Sequence, residues 1–136
     1  MRVAMLFAAA LALAALALAA PAFAQREPEW RAAREEQVLL RPFAYEPRLI
    51  RLAAGRPVKL LFVNNSRATL SVSAPSFFRA ARIRGRDSRA LRGGHFRLSP
   101  GERRTIALVP APGRYRARSG NIAHRALGMS ALIVVE

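Results

Sequence analysis

The chain has 136 residues, 52% of them hydrophobic, and a formal net charge of +15 at pH 7. This length holds one ordinary domain, and the apolar content is sufficient for a packed core. The sequence contains no cysteine and 2 histidines, which excludes disulfides, zinc–thiolate fingers, iron–sulfur clusters, cysteine nucleophiles and three-histidine metal centres.

Residues 1–24 predict a secretory signal peptide. Arg2 precedes an alanine- and leucine-rich run over residues 3–20, and Ala22-Phe23-Ala24 supplies a small-residue cleavage pattern. The run is long enough for a retained membrane anchor to be the alternative, but the cleavage pattern favours removal. The Ala-, Arg- and Pro-rich composition is typical of a GC-rich bacterial genome. We therefore expect a periplasmic or secreted bacterial protein with no transmembrane segment after cleavage.

Residues 25–37 predict a charged lead-in with one or two helical turns, and residues 38–136 predict a single domain. After position 38, short apolar or alternating runs are separated by Pro, Gly and Asn turns, a pattern that indicates β-strands. A short helix or covering loop is expected over 76–83, with loops over 85–94 and 119–128. The eight predicted strands cover residues 38–43, 48–52, 57–63, 69–73, 95–98, 103–109, 114–118 and 130–135.

This succession of strands predicts an all-β fold, either an antiparallel sandwich or a barrel. The order of several short motifs then narrows the choice. They are Phe43-Ala44-Tyr45-Glu46-Pro47, Leu61-Phe62-Val63-Asn64, Ala74-Pro75-Ser76, Leu98-Ser99-Pro100-Gly101, Pro112-Gly113-Arg114-Tyr115 and the spacing from His124 to Met129. With these motifs residues 38–136 resemble the cupredoxin family, in particular its small periplasmic EfeO-type domains. The resemblance implies a Greek-key β-sandwich of about eight strands.

The resemblance also implies a blue copper site, and two of its four ligand positions are changed here. His124 and Met129 match the family pattern. Leu70 stands where the family places a histidine after the strand that ends at Asn64, and Ser119 stands where it places a cysteine. A blue site needs a copper–thiolate bond, which neither a serine hydroxyl nor a leucine side chain supplies. We therefore expect no cofactor, and no type I centre if copper binds.

The remaining soft ligands leave two interpretations open. His124 and Met129 could bind Cu(I), with His95 as a third ligand if the fold brings it close. Alternatively, His124 is a loop histidine and Met129 fills the core. Ser119 and His124 do not predict hydrolysis, because the only aspartate, Asp87, lies in an arginine-rich loop and no nucleophile elbow is present. We therefore expect that the protein is not an enzyme.

The segment from Arg79 to Arg104 is unusually rich in arginine and contains few acidic residues. Arginine forms forked contacts with carboxylate and phosphate groups, so this segment is a candidate anion site. Codon bias explains the choice of arginine over lysine but not the shortage of acids. Export and the absence of interleaved aromatic residues argue against nucleic acid. The candidate anion-binding residues are Arg82, Arg84, Arg86, Arg89 and Arg92.

Taken together, the sequence predicts an exported, non-enzymatic cupredoxin-like binding module for a periplasmic protein or an anionic envelope surface. One alternative is a copper-binding or copper-handling protein that uses His124 and Met129. A second alternative is a polyanion or envelope-lipid binder that uses the arginine-rich segment.

Overall fold

Two five-stranded sheets pack against each other in the computed structural model, which describes residues 26–120 and 129–136. Two short helices, α1 (Pro75–Ala80) and α2 (Gly85–Ser88), follow the fifth strand. The strands are β1 (Arg34–Arg41), β2 (Ala44–Glu46), β3 (Leu49–Leu52), β4 (Val58–Asn64), β5 (Leu70–Ser73), β6 (Arg82–Ile83), β7 (His95–Leu98), β8 (Arg103–Val109), β9 (Gly113–Arg118) and β10 (Ser130–Val135).

The predicted β-sandwich is confirmed, although its strands are not all antiparallel. The first sheet has the order β2-β1-β4-β8-β6, and the second has the order β3-β10-β9-β5-β7. The expectation of a purely antiparallel arrangement was wrong, because β1 pairs parallel with β4 and β3 pairs parallel with β10. Parallel neighbours need a long crossover connection. Here, in each case, the chain between the two paired strands contributes at least one strand to the opposite sheet.

The eight predicted strands are all present, and the differences lie in the charged or very short segments. The first strand begins at Arg34, four residues before the predicted start, so part of the charged lead-in 25–37 is strand and not helix. Its first residues are exposed and pair through the main chain with β4, which side-chain pattern alone does not reveal. Strands β2 and β6 and helix α2 are too short for a periodic signal. The predicted helix over 76–83 forms as α1, and its last two residues belong to β6.

The core lies between the sheets and is closed by α1. Inward-facing and outward-facing residues alternate along the strands; in β5, for example, Leu70 and Val72 face inward. Full burial of each such side chain stabilises the fold by about 1.5–3 kcal/mol. Proline occupies the first turn of α1, where its missing N–H costs nothing. Helix α1 then buries Phe77 against the Tyr115 ring, with ring centroids 5.4 Å apart. This contact fixes α1 against β9.

One buried polar side chain joins the two sheets near the end of β4. Asn64 is fully buried, and its amide donates to the carbonyls of Ala68, at 2.8 Å, and Leu98, at 2.9 Å. Its Oδ1 accepts hydrogen bonds from the Ser66 main chain and hydroxyl. The Asn64 side chain is thus satisfied, and it anchors the start of β5 beside β7.

No helix within residues 26–120 and 129–136 is long and apolar enough to span a membrane.

Candidate functional site

The two changed ligand positions lie inside the protein, and both are filled by ordinary packing. Leu70, the first residue of β5, is 2% exposed and belongs to the hydrophobic core beside its β7 partner Leu98. Ser119 follows the last residue of β9 and is 1% exposed. The site implied by the resemblance is therefore occupied by a hydrocarbon side chain and a small hydroxyl.

Ser119 is integrated into a local hydrogen-bond network. Its main-chain N–H donates to the Met129 carbonyl at 3.2 Å, and its Oγ lies 3.4 Å from Ser71 Oγ. The next residue, Gly120, donates its N–H to Ser71 Oγ at 2.7 Å. Buried polar groups are costly unless they are hydrogen-bonded, and these bonds join the end of β9 to β5 and to the start of β10.

Two of the three candidate copper ligands lie within the described residues, and their surroundings differ. Met129 is completely buried in the core. His95 begins β7 on the exposed side of that strand, whose residues Phe96 and Leu98 point inward. His124 lies outside the described residues. The ligand set of His95, His124 and Met129 therefore stays a prediction, and no cluster of three or more His, Cys, Asp or Glu side chains suitable for a metal occurs in the described part of the chain.

The residues present do not fit a type I copper centre. The sequence has no cysteine, so the thiolate that defines such a centre cannot form. Leu70 offers no lone pair in the place of an imidazole. At two of the four ligand positions that the resemblance implies, the residues present cannot supply the ligands of a type I centre. This conclusion does not depend on His124.

The five arginines of the candidate anion segment have different surroundings. Arg82 forms an ion pair with Glu27 at 3.4 Å, and Arg84 forms a largely buried one with Asp87 at 2.8 Å. Asp87 also accepts a hydrogen bond from the Ala107 main chain, so the Arg84 pair attaches α2 to β8. Arg86, Arg89 and Arg92 are exposed. Two of the five predicted residues therefore already have carboxylate partners within the protein.

A second group of arginines lies on the outer side of the second sheet. Arg114, Arg116 and Arg118 alternate along β9 and point outward from the second sheet, as does Arg97 on β7. We call these four residues the arginine face. The alternation of arginine with Tyr115 and Ala117 in β9 is a period-two signal, which could have identified an outward basic row in the sequence.

No carboxylate neutralises the arginine face. All eight acidic residues of the sequence fall within the described ranges, and five of them form ion pairs. Every one of those pairs involves the first sheet or the residue that follows β6. They are Arg34–Glu36, Arg41–Glu46, Arg82–Glu27, Arg84–Asp87 and Arg104–Glu102. The positive charge of the second sheet is therefore available to an external partner.

Comparison with solved structures identifies the fold. An auracyanin from the photosynthetic bacterium Roseiflexus castenholzii superposes with a TM-score of 0.56 at 22% identity, covering 77% of this chain and 98% of that one. Auracyanin A, a "blue" copper protein from Chloroflexus aurantiacus, gives 0.54 at 14% identity, covering 75% and 98%.

A copper binding protein solved in the apo form gives a TM-score of 0.54 at 20% identity, covering 82% of this chain and 93% of that one. No family model and no curated protein matches the sequence. These likenesses extend over nearly the whole of each small copper protein. The chain therefore has a cupredoxin-like fold.

Proposed function

We propose that the protein is an exported, non-enzymatic binding module whose cupredoxin-like domain binds an anionic partner instead of a type I copper ion. Residues 1–24, with their signal-peptide pattern, support export. The absence of cysteine and the burial of Leu70 and Ser119 at ligand positions support the loss of blue-copper chemistry.

The uneven distribution of ion pairs is the observation that carries the proposal. Basic residues outnumber acidic ones by 23 to 8, and the five intramolecular pairs leave the outer side of the second sheet unneutralised. A surface of one sign raises the local concentration of oppositely charged partners and accelerates their association. The grouping of Arg97, Arg114, Arg116 and Arg118 on one side of the second sheet favours a binding role over a purely structural one.

Salt dependence tests this proposal. The mature chain, beginning at Gln25, is titrated with fluorescent polyglutamate and with vesicles containing phosphatidylglycerol, at low and at physiological ionic strength. We expect binding to at least one of these probes that weakens steeply as salt rises, since exposed charges are screened beyond about 8–10 Å in that range. Binding that does not respond to salt, or no binding to either probe, would contradict the proposal.

Copper handling is the second candidate function, and the copper-protein names of the structural neighbours favour it. Competition for Cu(I) against a chromophoric chelator measures it directly. His124→Ala combined with Met129→Leu removes an imidazole and a thioether while keeping the core volume at Met129. Loss of Cu(I) uptake in this variant supports the candidate, and unchanged uptake rejects the ligand assignment.

A further inference from the structure

We propose that a basic trough on the outer face of the second sheet binds an extended acidic segment of a partner protein. This inference rests on the proposed function and specifies where the anion binds and of which class it is. The trough consists of two adjoining depressions that meet at Ser73 and His95. The first has Thr69, Ser71 and Ser73 as its floor and Arg92, His95 and Arg97 as its wall, and the second has Arg114, Arg116 and Arg118 as its wall.

The floor exists because β5 carries serines on its outward side. Leu70 and Val72 point into the core, so Ser71 and Ser73 point outward. Strand β5 lies between β7 and β9, whose outward side chains are much longer. At Ser73, where β5 pairs with both neighbours, two strand spacings separate His95 from Arg118, or roughly 10 Å. The short serine side chains beside these longer ones leave a depression on each side of this point.

The strand register fixes which wall residues face each other across the floor. Ser73 pairs with His95 on one side and with Arg118 on the other, and Ser71 pairs with Arg97. Two open depressions of about 740 and 510 Å³ follow this line, and they share Ser73, His95 and Gly120. They therefore form one continuous trough.

The trough is positive along its length. No acidic residue lines either depression. The arginine face supplies Arg97 to the first depression and its three other members to the second, and none of the four has an ion-pair partner in the described chain. Arg104, at the far end, does have one, since it contacts Glu102 at 2.6 Å and lies over the Phe96 ring. That pair marks the end of the unneutralised surface.

The floor and the β7 wall are held by the fold before any ligand arrives. Ser71 Oγ accepts the Gly120 N–H, which fixes the floor against the end of β9. Gly94, in the turn before β7, packs so closely on Pro75 that a Cβ would lie 2.4 Å from the Pro75 Cα. The Ala74 N–H donates to the Gly94 carbonyl at 3.0 Å. These contacts set the position of His95 without contributing charge.

The shape and the chemistry of the trough favour an extended acidic peptide. The arginines of β9 repeat every two residues, or about 6.7 Å, and alternate side chains of an extended peptide have the same repeat. Guanidinium groups match carboxylates in a forked geometry. The concave floor disfavours a flat bilayer. Stacked nucleic acid bases require exposed aromatic rings. Phe96 is buried, and the Tyr115 ring packs against Phe77 while its hydroxyl donates to the carbonyls of Ala111 and Pro112.

A pair of variants with the same net charge tests the location. The probe is a fluorescein-labelled eight-residue peptide in which glutamate alternates with serine, measured by anisotropy with the mature chain. Arg116→Gln with Arg118→Gln removes two charges from the trough. Arg31→Gln with Arg56→Gln removes two charges from exposed positions outside both depressions. We expect the trough variant to raise Kd about tenfold, the effect of two ion pairs of modest strength, and the control to change Kd less than about twofold.

A third variant, Ser73→Glu, places a carboxylate on the floor and leaves both walls intact. We expect it also to weaken peptide binding about tenfold, so the proposal stays testable if the arginine variant unfolds. Equal losses in the trough and control variants would show that overall charge binds the peptide and would overturn the trough. Binding to phosphatidylglycerol vesicles but not to the peptide would overturn the acidic-protein partner and leave the proposed function standing. Failure of both probes would overturn both.

Discussion

At the scale of single residues, two side chains depart from a type I copper centre. Leu70 contributes to the core from the position where the resemblance implies an imidazole, and Ser119 is buried and hydrogen-bonded where the resemblance implies a thiolate. The composition alone excluded the thiolate, because the chain has no cysteine. The bonds that Ser119 makes with Ser71 and Met129 could not be predicted, because they join three separate elements of the fold.

Restoring the two missing ligand types tests whether these positions have been assigned correctly. We expect Leu70→His with Ser119→Cys to develop an intense thiolate-to-copper charge-transfer band with Cu(II), because a thiolate and an imidazole would then join His124 and Met129. The visible spectrum at equal copper loading measures it, with Ser119→Cys alone as the control. A double variant that folds, binds copper and stays colourless would contradict the assignment.

Tyr45 gives the protein an alkaline limit. Burial raises the pKa of the Tyr45 phenol above its usual range, and its hydroxyl donates to the Ser71 carbonyl at 2.7 Å. The folded state therefore keeps the proton at a pH where the unfolded state releases it. We expect the contribution of the Tyr45 phenol to the free energy of unfolding to be constant below about pH 10. Above that pH it should fall by up to about 1.4 kcal/mol per pH unit.

Tyr45→Phe separates the two contributions. We expect the variant to lose about 1 kcal/mol near neutral pH, because the Ser71 carbonyl loses its donor. Its stability should fall less steeply than that of the wild type between about pH 10 and pH 11. Urea unfolding at both pH values measures the difference, and parallel curves for the two proteins would show that Tyr45 does not control the alkaline loss.

At the scale of elements, the turn before β7 depends on a close backbone approach. Gly94 has a φ of +82°, and a Cβ there would lie within 2.4 Å of Pro75. Gly101 has a similar φ of +74°, but a Cβ at that position would meet nothing within 4 Å. The two glycines therefore separate the cost of the left-handed backbone from the cost of the contact.

We expect Gly101→Ala to destabilise the protein by about 1–2 kcal/mol, the cost of a left-handed conformation alone. Gly94→Ala should cost about 2–4 kcal/mol, since the turn must also move away from Pro75. Chemical denaturation of both variants measures these values. Equal costs would show that the turn shifts away from Pro75 at no cost in free energy, which would contradict the rigid β7 wall.

The same scale shows how far sequence patterns reach. Strands such as β5 and β8 carry alternating or apolar runs between turn residues, and the eight predicted strands were found. The charged start of β1 was expected to be helical. Its pairing with β4 leaves its side chains exposed, so no alternation of side chains in the sequence reveals the strand. The candidate anion segment was chosen by density along the chain, whereas the arginine face is assembled from β7 and β9, which are distant in sequence.

At the scale of the whole molecule, charge is divided between the two sheets. The first sheet and its neighbouring segments contain the ion pairs, and the second presents arginines with no carboxylate partner. A +15 total would favour anions over the entire surface, but this division favours one side. Binding by the protein should therefore be directional, with the trough along β5 at its centre.

Nuclear magnetic resonance titration of the mature chain with the alternating glutamate–serine peptide tests this most directly, because each amide reports its own surroundings. The account predicts the largest shift changes for the residues of β5, β7 and β9 that form the trough, above all Ser73, His95 and Arg118. Amides around Arg86 and Arg89 should change little at the same peptide concentration. Largest changes at α2 or on the first sheet, or equal small changes over the whole surface, would contradict it.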